Sequence, residues 1–296
     1  MKSILLAALL ASAPFSSQYT ETEAGFTQQE CESITTVLRG EWFYPVTLEQ
    51  LNGICSCVFE FQTTRKDLSL PTMMSFCIGK AAPDAYFAYF PLKGKPVLGT
   101  EDLQVKGKIV EGHIGYLRIP SFDLEAGVVT RAVDELAKSN VRSLLLDLRK
   151  NRGGWVRVAK EFLNLFKPEE KDSVMFEIRK RYGKIEPYTS LPGSYRGWNI
   201  AVLVDEKSAS SSEIVTGVLQ LWGARVFGKK TYGKGTVQEI HDFDNGTAMK
   251  FTTGRYFFTN GATADGEGLM PDQVITENEE IYNQAFQYLR LVSNLH

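Results

Sequence analysis

Three short stretches hold side chains whose types and spacing could do chemistry. The first is Ser208-Ala209-Ser210-Ser211-Ser212-Glu213, which opens an apolar helical pattern. Ser210 to Glu213 fits the S-x-x-E capping box, in which a serine hydroxyl and a glutamate satisfy unpaired N–H groups at a helix start. The same place suits a nucleophile, because a helix N-terminus offers free N–H groups and a positive dipole end to a negatively charged oxygen. A serine hydroxyl still needs a base. Of the three histidines, His113 and His241 sit in alternating strand patterns without a matched acid, and His296 is the last residue. A structural or exposed role is expected for each.

Lysine is the other source of a base. Lys234 lies in Thr231-Tyr232-Gly233-Lys234-Gly235-Thr236-Val237-Gln238, where the flanking glycines let the backbone bend tightly. A lysine accepts a proton only when neutral. Lowering its ordinary pKa of about 10.4 by roughly 3 units corresponds to roughly 4 kcal/mol against the charged form. Burial beside apolar groups such as Tyr232 and Val237 could supply that. Gln238 follows by four positions, so in an extended segment both side chains face one way and an amide oxygen could hold the amine. The third stretch is Asn151-Arg152-Gly153-Gly154. A glycine pair leaves backbone N–H groups free to point at a ligand, which an oxyanion hole requires. Taken singly, the three read as a helix cap, a solvated lysine and a loop.

The surrounding elements predict how they are brought together. From about residue 109, strands alternate with helices: His113–Ile119, a helix within Leu124–Lys138, the apolar run Leu144–Leu148, a helix through Val158 and Phe166, and the run Ile200–Val204 before the serines. Such alternation predicts βαβ units and a largely parallel sheet covered on both faces. Catalytic groups then gather where strands end and helices begin. After Thr236 the pattern turns to strands and hairpins, with Asn245-Gly246 as a turn. The expected organisation is an α/β core over 109–276, a small N-terminal subdomain over 18–108 and a C-terminal helix over 277–296. Within the subdomain a helix is expected from Thr27-Gln28-Gln29-Glu30, and strands at Phe59-Glu60-Phe61 and Ala85–Phe90.

A net charge of −2 and the lack of a long basic run leave no electrostatic footprint for nucleic acid. Residues 1–17 carry one lysine, a short apolar run and Ala11-Ser12-Ala13, the pattern of a secretory signal peptide. No stretch reaches the roughly 18 apolar residues of a membrane span. An exported chain, periplasmic or secreted, is expected. All four cysteines, Cys31, Cys55, Cys57 and Cys77, precede residue 80. In an exported chain they suggest two disulfides, with Cys31 and Cys77 each taking one of the central pair in either order. The C-x-C has no second close pair and no nearby histidine, so no metal site is expected.

With these blocks in order, the sequence resembles the carboxy-terminal processing, or tail-specific, proteases. The resemblance covers roughly residues 112 to 275. It rests on Gly115–Ile119, Leu146–Gly154, Ser208–Ile214, Thr231–Gln238 and Gly266–Asp272. It implies a crotonase-like α/β core, Ser210 as nucleophile, Lys234 as general base and Gln238 orienting it. The implied oxyanion donors are the backbone N–H groups of Ser211 and of the Gly153-Gly154 turn, with no metal or cofactor. Arg152 stands where the family usually has proline, and residues 31–108 lack the glycine loop of the PDZ domain that many relatives use to capture substrate. The function expected is an exported serine endopeptidase acting on peptides or proteins. The competing reading is a peptide- or hydrophobic-ligand-binding module in which Ser210 is only a cap. A crotonase-type thioester enzyme fits an export signal poorly.

Overall fold

The computed structural model describes residues 26–91, 104–111, 113–168 and 173–293. The signal-peptide stretch and His296 lie outside the described residues. Two compact units emerge: one takes the chain up to Val97 together with Gln238–Gly254, the other Leu98–Val237 together with Arg255–His296.

The first unit begins with three helices, α1 (Gln28–Glu41), α2 (Leu48–Thr64) and α3 (Leu70–Ala81). Thr27 with Glu30, and Thr47 with Gln50, close capping boxes at the starts of α1 and α2. The expected strand at Phe59–Phe61 is instead helix, the C-terminal part of α2. Leu51, Ile54, Cys55 and Val58 are buried at helical spacing, and a three-residue alternation is too short to outweigh that period. The pairing that spacing left open is Cys31–Cys55 and Cys57–Cys77. Two residues along a helix are about 200° apart, so Cys55 faces α1 while Cys57 faces α3. Strand β1 (Ala88–Pro91) pairs antiparallel with residues 247–250. Leu38, Trp42, Ile54, Val58, Met74 and Ile78 pack with Met249 and Phe251 in one apolar cluster. At its edge the Asp84 carboxylate accepts from Trp42 Nε1 at 3.0 Å and from the N–H and hydroxyl of Thr252, both at 2.9 Å.

The second unit carries a six-stranded sheet. Its elements begin with β2 (Lys106–Glu111), β3 (Ile114–Arg118), α4 (Val128–Lys138), β4 (Ser143–Asp147) and α5 (Val156–Phe166). An antiparallel pair follows, β5 (Ser173–Lys180) and β6 (Ile185–Ser190). Then come β7 (Asn199–Val204), α6 (Ser211–Leu221) and β8 (Arg225–Gly228). Strands β9 (Thr236–Asp242) and β10 (Thr247–Phe258) run from one unit into the other, and β11 (Gln273–Val274) and α7 (Asn278–Ser293) complete the chain. The sheet order is β2-β3-β4-β7-β8-β11, antiparallel only between β2 and β3. This is the largely parallel α/β core expected, although its edge strand β2 begins at Lys106, inside the segment assigned to the N-terminal subdomain.

Side chains alternate across a strand, and the apolar runs serve both faces. Leu144, Leu146, Val202 and Val204 pack with Val133, Phe162 and Val218 from α4, α5 and α6. Leu145, Ala201 and Leu203 pack on the other face with Ile281, Ala285 and Leu289 of α7. A sheet sandwiched this way has no polar face, which is why Leu144–Leu148 reads as an unbroken apolar run.

Candidate active site

The loop after β4 is built around Asn151, which is fully buried. Its Nδ2 donates to the Ile119 carbonyl at 2.8 Å, and its Oδ1 accepts from Gly153 N–H at 2.8 Å. Its own carbonyl accepts from Ala209 N–H at 3.0 Å and from the Ser212 hydroxyl at 2.8 Å. One residue thus ties the ends of β3 and β4 to the start of α6. Gly153 (φ 101°) and Gly154 (φ 139°) occupy backbone regions that side chains rarely allow. A Cβ on Gly153 would lie 2.8 Å from Ser210 Cβ, and one on Gly154 would lie 2.3 Å from the Phe122 carbonyl carbon. The glycine turn therefore packs directly against Ser210.

Ser210 departs from an ordinary cap. Thr27 and Thr47 hold extended cap backbones, at φ −103° and −84°. Ser210 sits at φ 56°, ψ −118°. A non-glycine residue costs of order 1–3 kcal/mol there and is held by its surroundings. It is half-exposed, whereas Ser208, Ala209, Ser211 and Ser212 are buried. Those neighbours have structural work: Ser208 Oγ donates to the Leu148 carbonyl at 2.9 Å, and Ser211 Oγ to the Gly154 carbonyl at 2.8 Å. Among the described residues, the N–H groups of Ser211 and Gly154 meet no acceptor. Gly153 differs from expectation: its N–H is turned to Asn151.

The glycine-flanked lysine is joined to the serine by Glu213. This carboxylate is fully buried. Its Oε2 accepts from the N–H of Ser210 at 2.8 Å and from the N–H of Lys234 at 2.9 Å. Its Oε1 accepts from Gly233 N–H at 2.7 Å and from the Thr231 hydroxyl at 2.6 Å. The backbones of Ser210 and Lys234 are therefore within two hydrogen-bond lengths of each other, although 24 positions separate them in the chain. Residues 113–275 match the family model described as peptidase family S41. The chain belongs to peptidase family S41.

A relative from Staphylococcus saprophyticus, described as a probable CtpA-like serine protease, is 31% identical over 183 residues. The match covers 61% of this chain and 36% of that protein, so this S41 member spans about a third of the relative's length. A solved lipoprotein from Streptococcus agalactiae has a similar fold, with a TM-score of 0.69 at 17% identity over 92% of this chain and 99% of that one. A candidate peptidase from Parabacteroides merdae gives a TM-score of 0.56 at 16% identity, over 87% and 95%.

The remaining expected residues are placed as follows. Lys234 is half-buried, but Tyr232, expected as part of its apolar cover, is 60% exposed. Val237 packs against the core of the second unit. Gln238 belongs to the first unit, where its Nε2 donates to Thr252 Oγ1 at 3.3 Å. His113 Nδ1 lies 2.9 Å from the Asn140 carbonyl, and the His241 ring packs on Phe243. Sequence reasoning saw Glu213 only as half of a cap and gave Asn151 no role of its own. It also missed Tyr256, whose buried hydroxyl has no hydrogen-bond partner among the described residues. Burial, then the nearby carboxylates of Glu213 and Asp265, push that phenol well above its ordinary range, so it stays neutral.

Proposed function

We propose that this S41 member is an exported serine endopeptidase working through an acyl-enzyme on Ser210. The observation that carries the reading is the Glu213 carboxylate, which holds the amides of Ser210 and Lys234 on a single oxygen. Neutral Lys234 takes the Ser210 hydroxyl proton as Oγ attacks the scissile carbonyl carbon. The resulting oxyanion is received by the N–H groups of Ser211 and Gly154, at the positive end of α6. The lysine ammonium then gives its proton to the departing amine as the C–N bond breaks. In the second half Lys234 takes a proton from water, the hydroxide attacks the acyl carbon, and the proton returns to Ser210 as the ester opens. Gln238 is assigned to orienting Lys234 from its place four residues further on. This chemistry needs no metal or cofactor.

Peptides or proteins are the substrates proposed, consistent with the name borne by the Staphylococcus relative. Export is supported by the two disulfides, which persist in oxidising compartments. Among the described residues no helix is long and apolar enough to cross a membrane. The test is cleavage of a peptide library by the purified mature protein, with Ser210→Ala as control. Cleavage that vanishes in the variant is expected. Equal turnover by both proteins would overturn the assignment, and binding without turnover by either would favour the binding-module reading.

A further inference from the structure

A second constellation lies at the carboxyl ends of β3, β4 and β7. There Arg118, Arg149, Lys150, Asp205 and Asn278 line a cavity of about 190 Å³. In open α/β sheets, ligands bind outside the carboxyl ends of the strands. The charges around this cavity do not cancel. Arg149 is committed to Asp147, with Nε and Nη2 donating at 2.9 and 2.6 Å, while Nη1 donates to the Asn278 carbonyl at 2.8 Å. Asp147 is fully buried and also accepts from the Tyr116 hydroxyl at 2.8 Å. Asp205 is turned inward, accepting from the N–H groups of Lys150 and Lys207 at 2.9 and 3.0 Å, with the Ser208 hydroxyl at 3.3 Å. What remains is the Arg118 guanidinium and the Lys150 ammonium. Neither has a hydrogen bond or ion pair among the described residues. Three cations thus line one small cavity while only two carboxylates serve them, an excess of positive charge that favours an anion there.

The backbone supports the same reading. Lys150 sits at φ 64°, a left-handed conformation that non-glycine residues seldom adopt. The Asp205 carboxylate holds it there through the Lys150 N–H. The two loops walling the cavity then continue into the site already described, Lys150 leading into Asn151–Gly154 and Asp205 into Ser208–Ser211.

We propose that this cavity is an anion subsite that accepts a carboxylate carried by the peptide substrate, from an acidic side chain or a chain end; the peptidase reading is its premise for the ligand. Arg118 supplies a planar fork matched to a carboxylate, and Lys150 a point charge at the rim.

Binding can be measured without turnover on Ser210→Ala protein. The reporter is the Arg149 Nε–Hε signal in a ¹H–¹⁵N spectrum. The probes are N-acetylglutamate α-amide for a side-chain carboxylate, N-acetylleucine for a terminal one, N-acetylglutamine amide as the neutral control, and inorganic phosphate. A saturable shift with one or both carboxylates, and none with the neutral probe, is expected. Affinity should fall by about fivefold or more in Arg118→Gln, and less in Lys150→Gln. The stronger of the two carboxylates identifies the source. Equal shifts with the neutral probe, saturation by phosphate alone, no saturable shift, or undiminished affinity in a well-dispersed Arg118→Gln spectrum would each overturn the proposal. Carboxylate binding alongside a wild-type protein that cleaves nothing would sink the peptidase reading and leave the subsite standing; cleavage without carboxylate binding would do the reverse.

Discussion

Ser210 and Lys234 are each replaceable by alanine with little structural consequence, because neither side chain fills the core. Ser210→Ala or Lys234→Ala should lower peptide cleavage by about 10³-fold or more, with the melting temperature close to that of the parent; comparable kcat values would refute the acyl-enzyme. Glu213 behaves differently. Glu213→Gln puts an NH₂ group against two of the four donors that now point at the carboxylate. Cleavage should fall by roughly 10- to 100-fold, mainly in kcat, since a misplacement of about 1 Å can cost that much. A lowered melting point with unchanged kcat would make Glu213 purely structural. At this scale the sequence was partly legible. Ser210, Lys234 and the glycine turn announced themselves by residue type and motif. Glu213 did not, because a capping glutamate and a clamp glutamate are the same letters, and only folding shows that its other oxygen faces Thr231 and Gly233. Gly153 and Gly154 were legible as a pair but not as individuals, since nothing in the letters says which N–H Asn151 captures.

At the scale of elements, period carried most of the information. The apolar runs of β4 and β7 and the spacing in α4 and α5 are long enough to declare their type. Alpha-helix α2 was only partly read, because its Phe59-Glu60-Phe61 end mimics a strand over three residues. The middle of β4 offers a clean test: Leu145 is fully buried against α7. Leu145→Ala should cost about 2–5 kcal/mol in urea unfolding, and a loss under about 1 kcal/mol would mean that face is not packed as described. The helices of the first unit depend on their cross-links. Each disulfide closes a loop of 20 to 24 residues, worth about 3 kcal/mol in the chain-entropy account. Mild reduction should therefore make α1–α3 susceptible to protease before the sheet of the second unit. Simultaneous loss of both would contradict separate stabilities.

For the molecule as a whole, the boundary between units was the least legible feature. Residues 238–254 interrupt the second unit in the chain without a linker or a change of composition, yet they fold with α1–α3 and β1. A boundary set by long-range packing leaves no local mark. Asp84 shows how closely that unit is knit, since it takes donors from Trp42 and Thr252, far apart in sequence. Asp84→Ala would strand three buried donors. It should destabilise the first unit by about 3 kcal/mol or more, visible as an earlier thermal transition; an unshifted transition would show that the donors find water.

The same threading limits how the polypeptide can be shortened. Removing α1–α3 would not yield a smaller well-behaved protein, because the returning hairpin would be left with Met249 and Phe251 stripped of their partners. Such a trimmed protein would be sticky and prone to precipitate, so any minimal version must delete the hairpin as well or retain all three helices.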